Sequence, residues 1–272
     1  MDLGLAERKA AVAGGSRGIG RAIALELARE GADVAILSRS QADLEATALE
    51  ISAETGRRIV PIACDVTDRK MVDSAIERAV TELGGLHILV NSASLPGGSP
   101  TAVGRIESIV DEDFLHDFDV KYLGALRCTR AAIPHLQRAG YGRIINISGA
   151  NARLPGNLSG GARNTSLVHF TRTLALQLGR DGITVNCIHP GMTRTETTRA
   201  MLEARALKLG VAVEEAERQD FAPGGRFENA IGRMIDASEV AHLAVFLASD
   251  RAAAITGDLL NPSGGVGKAV WY

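Results

Sequence analysis

Gly14-Gly15-Ser16-Arg17-Gly18-Ile19-Gly20 follows an apolar run from Lys9 to Ala13 and opens a stretch with helical spacing from Gly18 to Glu30. Glycines at 14, 18 and 20 allow a tight turn from strand to helix and a close approach of another molecule to the backbone. The helix start behind the turn offers unpaired N–H groups and the positive end of a dipole, which suit a phosphate. In this strand–turn–helix setting the motif reads as a dinucleotide-binding turn rather than a glycine-rich loop without a ligand.

Outward from that turn the same rhythm continues. Asp33 to Leu37 reads as a second strand, and Gln41 to Thr55 as a helix ending at Gly56. Ile59 to Ala63, Leu86 to Val90, Arg143 to Ile147 and Thr184 to Ile188 extend the strand series, with helices near 69–82, 111–138 and 161–179. Short apolar strands separated by amphipathic helices predict a parallel sheet covered on both faces. No linker or fixed-period repeat divides the chain, so a single domain over 1–272 is expected. Between Pro190 and Asp236 the rhythm fails: two charged helical pieces, Thr195 to Leu209 and Val213 to Asp220, occur without a convincing strand. Such a long excursion after a strand C-terminus reads as a substrate lid, the alternative being a tolerated surface loop.

Thirty basic and 32 acidic residues give a formal charge of -2, which supplies no electrostatic case for nucleic acid or an anionic membrane. No apolar run reaches the ~18 residues of a membrane span, and Met1 to Lys9 does not read as a secretory signal. Cys64, Cys128 and Cys187 are far apart and lack metal-ligand spacing, so reduced thiols, no metal and a cytoplasmic location are expected.

The Gly-x-x-x-Gly-x-Gly spacing resembles that of the short-chain dehydrogenase/reductase superfamily, and the likeness runs along nearly the whole chain. Cys64-Asp65-Val66-Thr67-Asp68 looks like the family's adenine-binding strand end, and Asn91-Ser92-Ala93-Ser94 like its Asn-Asn-Ala-Gly. Ile183-Thr184-Val185-Asn186 followed by His189-Pro190-Gly191 is similar to the segment leading to the nicotinamide, which implies Thr193 and Thr195 as carboxamide contacts. Glu239-Val240-Ala241, Phe246 to Asp250 and Ile255-Thr256-Gly257 resemble the last helix and strand. The resemblance implies an α/β, Rossmann-type doubly wound, mainly parallel seven-stranded sheet. The implied cofactor site comprises Gly14, Ser16, Arg17, Gly18, Ile19, Gly20, Arg39, Asp65, Val66, Asn91, Pro190, Gly191, Thr193 and Thr195.

The choice between NAD and NADP has its own physical argument. A carboxylate at the end of the second strand would bond the ribose 2′-OH of NAD and repel a 2′-phosphate. Here that strand ends Leu37-Ser38-Arg39, and Arg17 adds a second guanidinium. Two arginines suit a phosphate, so NADP(H) is expected, unless both are merely solvated.

The family's reaction is hydride transfer between NAD(P)H and a carbonyl or alcohol, with a Tyr four residues before a Lys, a serine and an asparagine around the proton. This sequence lacks that set. Its tyrosines are Tyr122, Tyr141 and Tyr272, and no lysine lies between 122 and 207. Anchored on Phe170 to Ala175, the tyrosine position holds Gly160 and the lysine position Asn164. Gly149 falls at the serine, with Ser148 one residue earlier, and Lys121 at the relay asparagine. The glycine at 160 is expected to leave space beside the nicotinamide. Lys121 and Asn164 read as an exchange of partners, making Lys121, Ser148 and Asn164 the catalytic candidates; alternatively Lys121 reaches solvent or pairs with Asp119. Arg163 reads as a surface arginine, the alternatives being a proton donor or a contact to an anionic substrate; His116, His169 and His189 read as structural, and Ser159 as a helix cap.

Three functions stay open: an oxidoreductase acting on a small molecule through a rebuilt proton donor, a silent or regulatory nucleotide-binding homologue, and a non-redox lyase or isomerase. Apolar stripes on the helices near 111–138 and 161–179, together with the tail Val270-Trp271-Tyr272, suggest a homotetramer or a homodimer.

Overall fold

The computed structural model describes residues 2–267, so the tail Val270-Trp271-Tyr272 lies outside the described residues. Six long strands alternate with helices: β1 (Lys9–Ala13), α1 (Gly18–Arg29), β2 (Asp33–Ser38), α2 (Gln41–Thr55), β3 (Ile59–Ala63), α3 (Arg69–Leu83), β4 (Ile88–Asn91), α4 (Asp111–Phe118), α5 (Gly124–Ala139), β5 (Gly142–Ile147), α6 (Leu158–Leu178) and β6 (Ile183–Ile188). After β6 come β7 (Thr193–Arg194), α7 (Glu196–Leu209), α8 (Val213–Phe221), β8 (Ile235–Asp236), α9 (Ala237–Ala248) and β9 (Leu259–Leu260). The main sheet has seven strands in the order β3-β2-β1-β4-β5-β6-β9, and its pairings are parallel. The order reverses between β1 and β4, which opens the crevice where doubly wound sheets take ligands.

Alternation along the strands divides the core in two. Val12, Ile36, Val90 and Ile145 face Ile23 and Leu27 of α1, Leu44 of α2 and Val240 of α9. Ala11, Ala35, Leu89 and Ile144 face Val72 of α3, Cys128 of α5 and Leu167 of α6. Both faces are therefore dry, which explains strands that read as bare apolar runs. Truncating a fully buried residue such as Leu89 to Ala is expected to cost about 2–5 kcal/mol.

The structure departs from the sequence reading in three places. The helix expected over 111–138 is broken by a π-helical turn, Asp119–Leu123, which carries Lys121. Such turns insert an extra residue and re-aim the side chains that follow. The excursion over 190–236 contains a two-residue ladder, β7 against β8, where no strand was expected. The last strand is Leu259–Leu260, just beyond Ile255-Thr256-Gly257. The excursion also has a core of its own in Leu202, Phe221 and Met234. Arg194 ties its parts together by bonding both oxygens of Glu217, at 3.0 and 2.7 Å, and Asp236 at 3.0 Å. Among the described residues no helix is long and apolar enough to cross a membrane.

Candidate active site

A cavity of about 720 Å³ opens at the C-terminal ends of β1, β4, β5 and β6. Its shape at the β1 end is set by backbone. Gly14 lies at φ +81°, and a Cβ there would fall 2.8 Å from the Ser92 carbonyl carbon and the Ala93 nitrogen. A Cβ on Gly20 would fall 2.1 Å from the Gly14 carbonyl oxygen, so only glycine lets α1 start this close to the turn. The Gly14 and Gly15 N–H groups donate to the Leu37 carbonyl at 2.7 and 3.2 Å, and Thr47 Oγ1 donates to the Ser16 carbonyl at 3.0 Å. The turn is thus tied to β2 and α2, while the first N–H groups of α1 face the cleft. One is taken: Gly18 N–H donates to Glu196 Oε2 on α7 at 3.2 Å.

Gly14, Ser16, Arg17, Gly18, Ile19 and Gly20 line the cavity beside Arg39, Asp65 and Val66. No carboxylate stands at the end of β2. Ser38 Oγ, buried there, has no hydrogen-bond partner among the described residues. Asp65 accepts from Thr67 N and Oγ1 at 2.9 and 2.8 Å. Burial opposes its ionisation, but those bonds and the charge of Arg39 hold the carboxyl below its usual range. Pro190, Gly191, Thr193 and Thr195 line the opposite wall. A Cβ on Gly191 would press the Ser263 backbone at 2.9 Å, and Thr195 caps α7 through a reciprocal bond with Thr198. Asn91 alone of the expected cofactor residues does not line the cavity. It is buried beneath it, donating to Thr129 Oγ1 at 3.0 Å and Asn146 Oδ1 at 2.8 Å, and so braces β4 to β5 and α5.

Lys121, Ser148 and Asn164 meet at the other end of the same cavity. The π-turn aims Lys121 inward, where Nζ donates to the Ser148 carbonyl at 3.0 Å. Burial and the neighbouring Arg163 charge push its pKa down to about 7. Asp119 is not its partner: that carboxylate pairs with Arg127 at 2.8 Å. Nor is Asn164 Oδ1, which has no partner among the described residues. The exchange of partners therefore brings both residues to one place without a bond between them. Ser148 Oγ donates to the Asn164 carbonyl at 2.9 Å, turning the hydroxyl toward α6.

Two expected features are overturned. Gly160 does not leave a vacant space, because its missing Cβ would fall 2.7 Å from Asn151 Nδ2 and 2.9 Å from Asn157 Cγ. Similarly, a Cβ on Gly149 would fall 2.9 Å from Asn164 Nδ2, so the amide of Asn164 leans into the serine's place. The cap of α6 is Asn157, whose Oδ1 accepts from Gly160 N–H at 2.6 Å. Ser159 instead donates to Asp117 Oδ2 at 2.5 Å.

Arg163 is not a surface arginine. It is buried, lines the cavity, and donates from Nη1 to the Leu95 carbonyl at 3.2 Å. Asp117, fully buried, lies 3.9 Å from it and also accepts from the Ser99 amide and hydroxyl. Burial works against the Asp117 charge, but these donors and Arg163 hold the carboxyl below its usual range. Sequence reading missed this pair, because Asp117 and Arg163 are 46 positions apart and only the topology joins them. His189 Nδ1–H donates to the Gly149 carbonyl at 2.8 Å, and burial pulls that imidazole down to about 4, so it stays neutral. His116 and His169 are exposed.

A family model described as enoyl-(acyl carrier protein) reductase matches residues 13–267. The short-chain reductase protein NovJ of Streptomyces niveus is 34% identical over 260 residues, covering 95% of this chain and 94% of that protein. The NADPH-dependent reductase BacG of Bacillus subtilis is 30% identical over 269 residues, covering 98% and 100%. Among solved structures, L-sorbose reductase from Gluconobacter frateurii, complexed with NADPH and L-sorbose, superposes with a TM-score of 0.92 at 29% identity, covering 99% and 100%.

Proposed function

The chain belongs to the short-chain dehydrogenase/reductase family, and from that premise we propose an NADP(H)-dependent oxidoreductase acting on the carbonyl or alcohol of a small molecule, with Lys121 as its proton donor. Relatives described as NADPH-dependent support the cofactor. So do the missing carboxylate at the end of β2, the unpartnered Ser38 hydroxyl and the two arginines on that wall. In this reading Arg17, Ser38 and Arg39 hold the 2′-phosphate, the glycine turn holds the pyrophosphate, and Asp65 and Val66 border the adenine. Pro190, Gly191, Thr193 and Thr195 border the nicotinamide. Bound there, the cofactor supplies or accepts the hydride.

The observation that carries the catalytic half is the Lys121 ammonium, inside the cavity and titrating near neutrality. A group poised there both gives and takes a proton at working pH. Ser148 fixes it through its backbone carbonyl, and the Oδ1 of Asn164 is left to accept from a substrate hydroxyl or a water. A second reading, binding without turnover, draws on Gly149 and Gly160, where asparagine side chains crowd the positions that a Cβ would take. Titration with NADPH and NADP+, followed by a carbonyl and alcohol screen at the nicotinamide absorbance, separates the two. Turnover lost in Lys121→Met supports the first, tight binding without turnover of any substrate supports the second, and failure to bind NADPH removes both.

The excursion over 190–236 acts in this proposal as a substrate lid hinged at the cavity mouth. The proposed assembly is a homotetramer or a homodimer in the cytoplasm; exposed Leu115 on α4 and Leu176 on α6 supply apolar surface for it. A monomer by light scattering at micromolar concentration would refute the assembly.

A further inference from the structure

Lys121 is surrounded in a way that a proton donor alone does not require. Among the described residues its one hydrogen bond goes to a neutral carbonyl, at Ser148. The acids near it in sequence are committed elsewhere, Asp119 to Arg127 and Asp117 to Ser99, Ser159 and Arg163. The charged or titratable groups facing it from packed elements are Arg163 on α6, Cys187 on β6 and His189 just beyond β6. Of these, burial pushes the Cys187 thiol up to about 11 and keeps His189 uncharged, so both are neutral near pH 7. Among the described groups that face it, Arg163 carries the fixed charge, which is positive and has Asp117 3.9 Å away on its other side.

An amine buried beside a second cation, without a carboxylate partner, is present as the neutral nucleophile far more often than an exposed lysine is. We propose that Lys121 captures a small aldehyde or ketone in the cleft as an imine, a covalent activity separate from hydride transfer. The idea rests on the reading that this cavity admits a carbonyl substrate. The Nζ lone pair forms a bond to the carbonyl carbon. The carbonyl oxygen then leaves as water with the two amine hydrogens, leaving C=N and changing no oxidation state. Once protonated, the imine withdraws electrons from the adjacent carbon, as cleavage or isomerisation of a β-oxo acid or a β-hydroxy ketone requires. Arg163 acts as a positioning residue: after burial itself, its charge is the second influence that favours the neutral amine.

The test is reductive trapping of the cofactor-free protein with acetone and cyanoborohydride near neutral pH, followed by peptide mapping. At that pH an amine titrating near neutrality has roughly a thousand-fold more neutral form than an ordinary lysine, so labelling of Lys121 should exceed that of Lys9, Lys70 and Lys208 by about a hundred-fold. The adduct should disappear in Lys121→Met. Arg163→Met should move the pH midpoint of labelling upward. If that variant does not fold, Arg163→Lys, which keeps the charge, should leave the midpoint in place, and a large shift in it would count against the role of Arg163. Labelling spread evenly over the lysines, or a folded protein with Lys121 unmodified, overturns the proposal. Because trapping needs no cofactor, a negative result leaves NADPH-dependent turnover untouched, and a positive one stands even if hydride transfer is never seen.

Discussion

At the glycine-turn end of the cleft, geometry is made by main chain: a φ of +81° at Gly14, a helix starting against the Gly14 carbonyl, and N–H groups aimed outward. At the lysine end, all of the chemistry hangs on side chains carried by α6, the π-turn and the end of β5. The first end keeps the residues that its backbone demands. At the second, side chains fill what a Cβ would take: Asn151 and Asn157 cover Gly160, and Asn164 covers Gly149. A backbone-built site has few alternatives, whereas a side-chain site can be refilled by other side chains of similar volume.

The sharpest way to break this comparison is to add one side chain at each end. Gly20→Val places a Cβ 2.1 Å from a backbone oxygen that cannot move without undoing the turn. It is expected to abolish NADPH binding and to cost about 3 kcal/mol or more of stability. Gly149→Ser meets only the movable Asn164 amide at 2.9 Å and should cost about 1 kcal/mol. Calorimetry of both variants, with NADPH titration, gives the answer; equal losses would erase the distinction.

Lys121→Met tests the lysine end next. In the reduction reaction, loss of the donor should lower kcat by about 10²–10⁴-fold. It should also change how stability depends on pH. The folded pKa is about 7, against an unfolded value near 10.5. Between those values the unfolded chain binds a proton that the folded chain does not, so stability rises with pH across that window. Below the folded pKa both states are protonated, and the destabilisation is fully present. Denaturant melts between pH 7.5 and 9.5 should therefore show a positive slope of up to about 1.4 kcal/mol per pH unit that Lys121→Met lacks. Parallel curves would mean that the ammonium reaches solvent.

Much of the backbone-built half was legible in the sequence. Three glycines between an apolar run and a helix specify their own geometry, and β1, α2 and β3 have the ends that the pattern predicted. The lysine end was legible only as a set of absences. Nothing in the spacing of Asp117 and Arg163 announces a buried pair, because the contact is made by folding α4 against α6. The π-turn was hidden for a similar reason: its periodicity resembles that of the helix around it, and it is seen only in the hydrogen bonds. Asn91 shows the same limit: sequence position fixes the strand but not which groups lie over or under its end.

Cofactor choice is a finer test of the glycine-turn end. Arg17→Ala with Arg39→Ala should lower the preference for NADPH over NADH by about 10–100-fold, the worth of one or two charge-assisted bonds to a phosphate. NADH affinity should change little. Isothermal titration with both cofactors measures this; an unmodified protein that binds them equally would show that neither guanidinium meets the 2′-phosphate.

The smallest expected effect lies where the two ends are joined by the lid. Glu196, in the first turn of α7, accepts a bond from Gly18 N–H at 3.2 Å, at the anion-seeking start of α1. A carboxylate there stands in for a phosphate oxygen and must move aside, or face one like-charged, when a pyrophosphate arrives. Both outcomes weaken binding. The contact is exposed, so solvent and salt screen the repulsion to well under 1 kcal/mol. Glu196→Gln keeps the shape and an acceptor but removes the charge. It should therefore tighten NADPH by about two- to three-fold at low ionic strength, with the gain fading as salt is added. Affinity that falls instead would mean that Glu196 helps to seat α7 on the turn and that its bond to Gly18 survives cofactor binding. A gain insensitive to salt would place its origin in the packing of α7 rather than in charge.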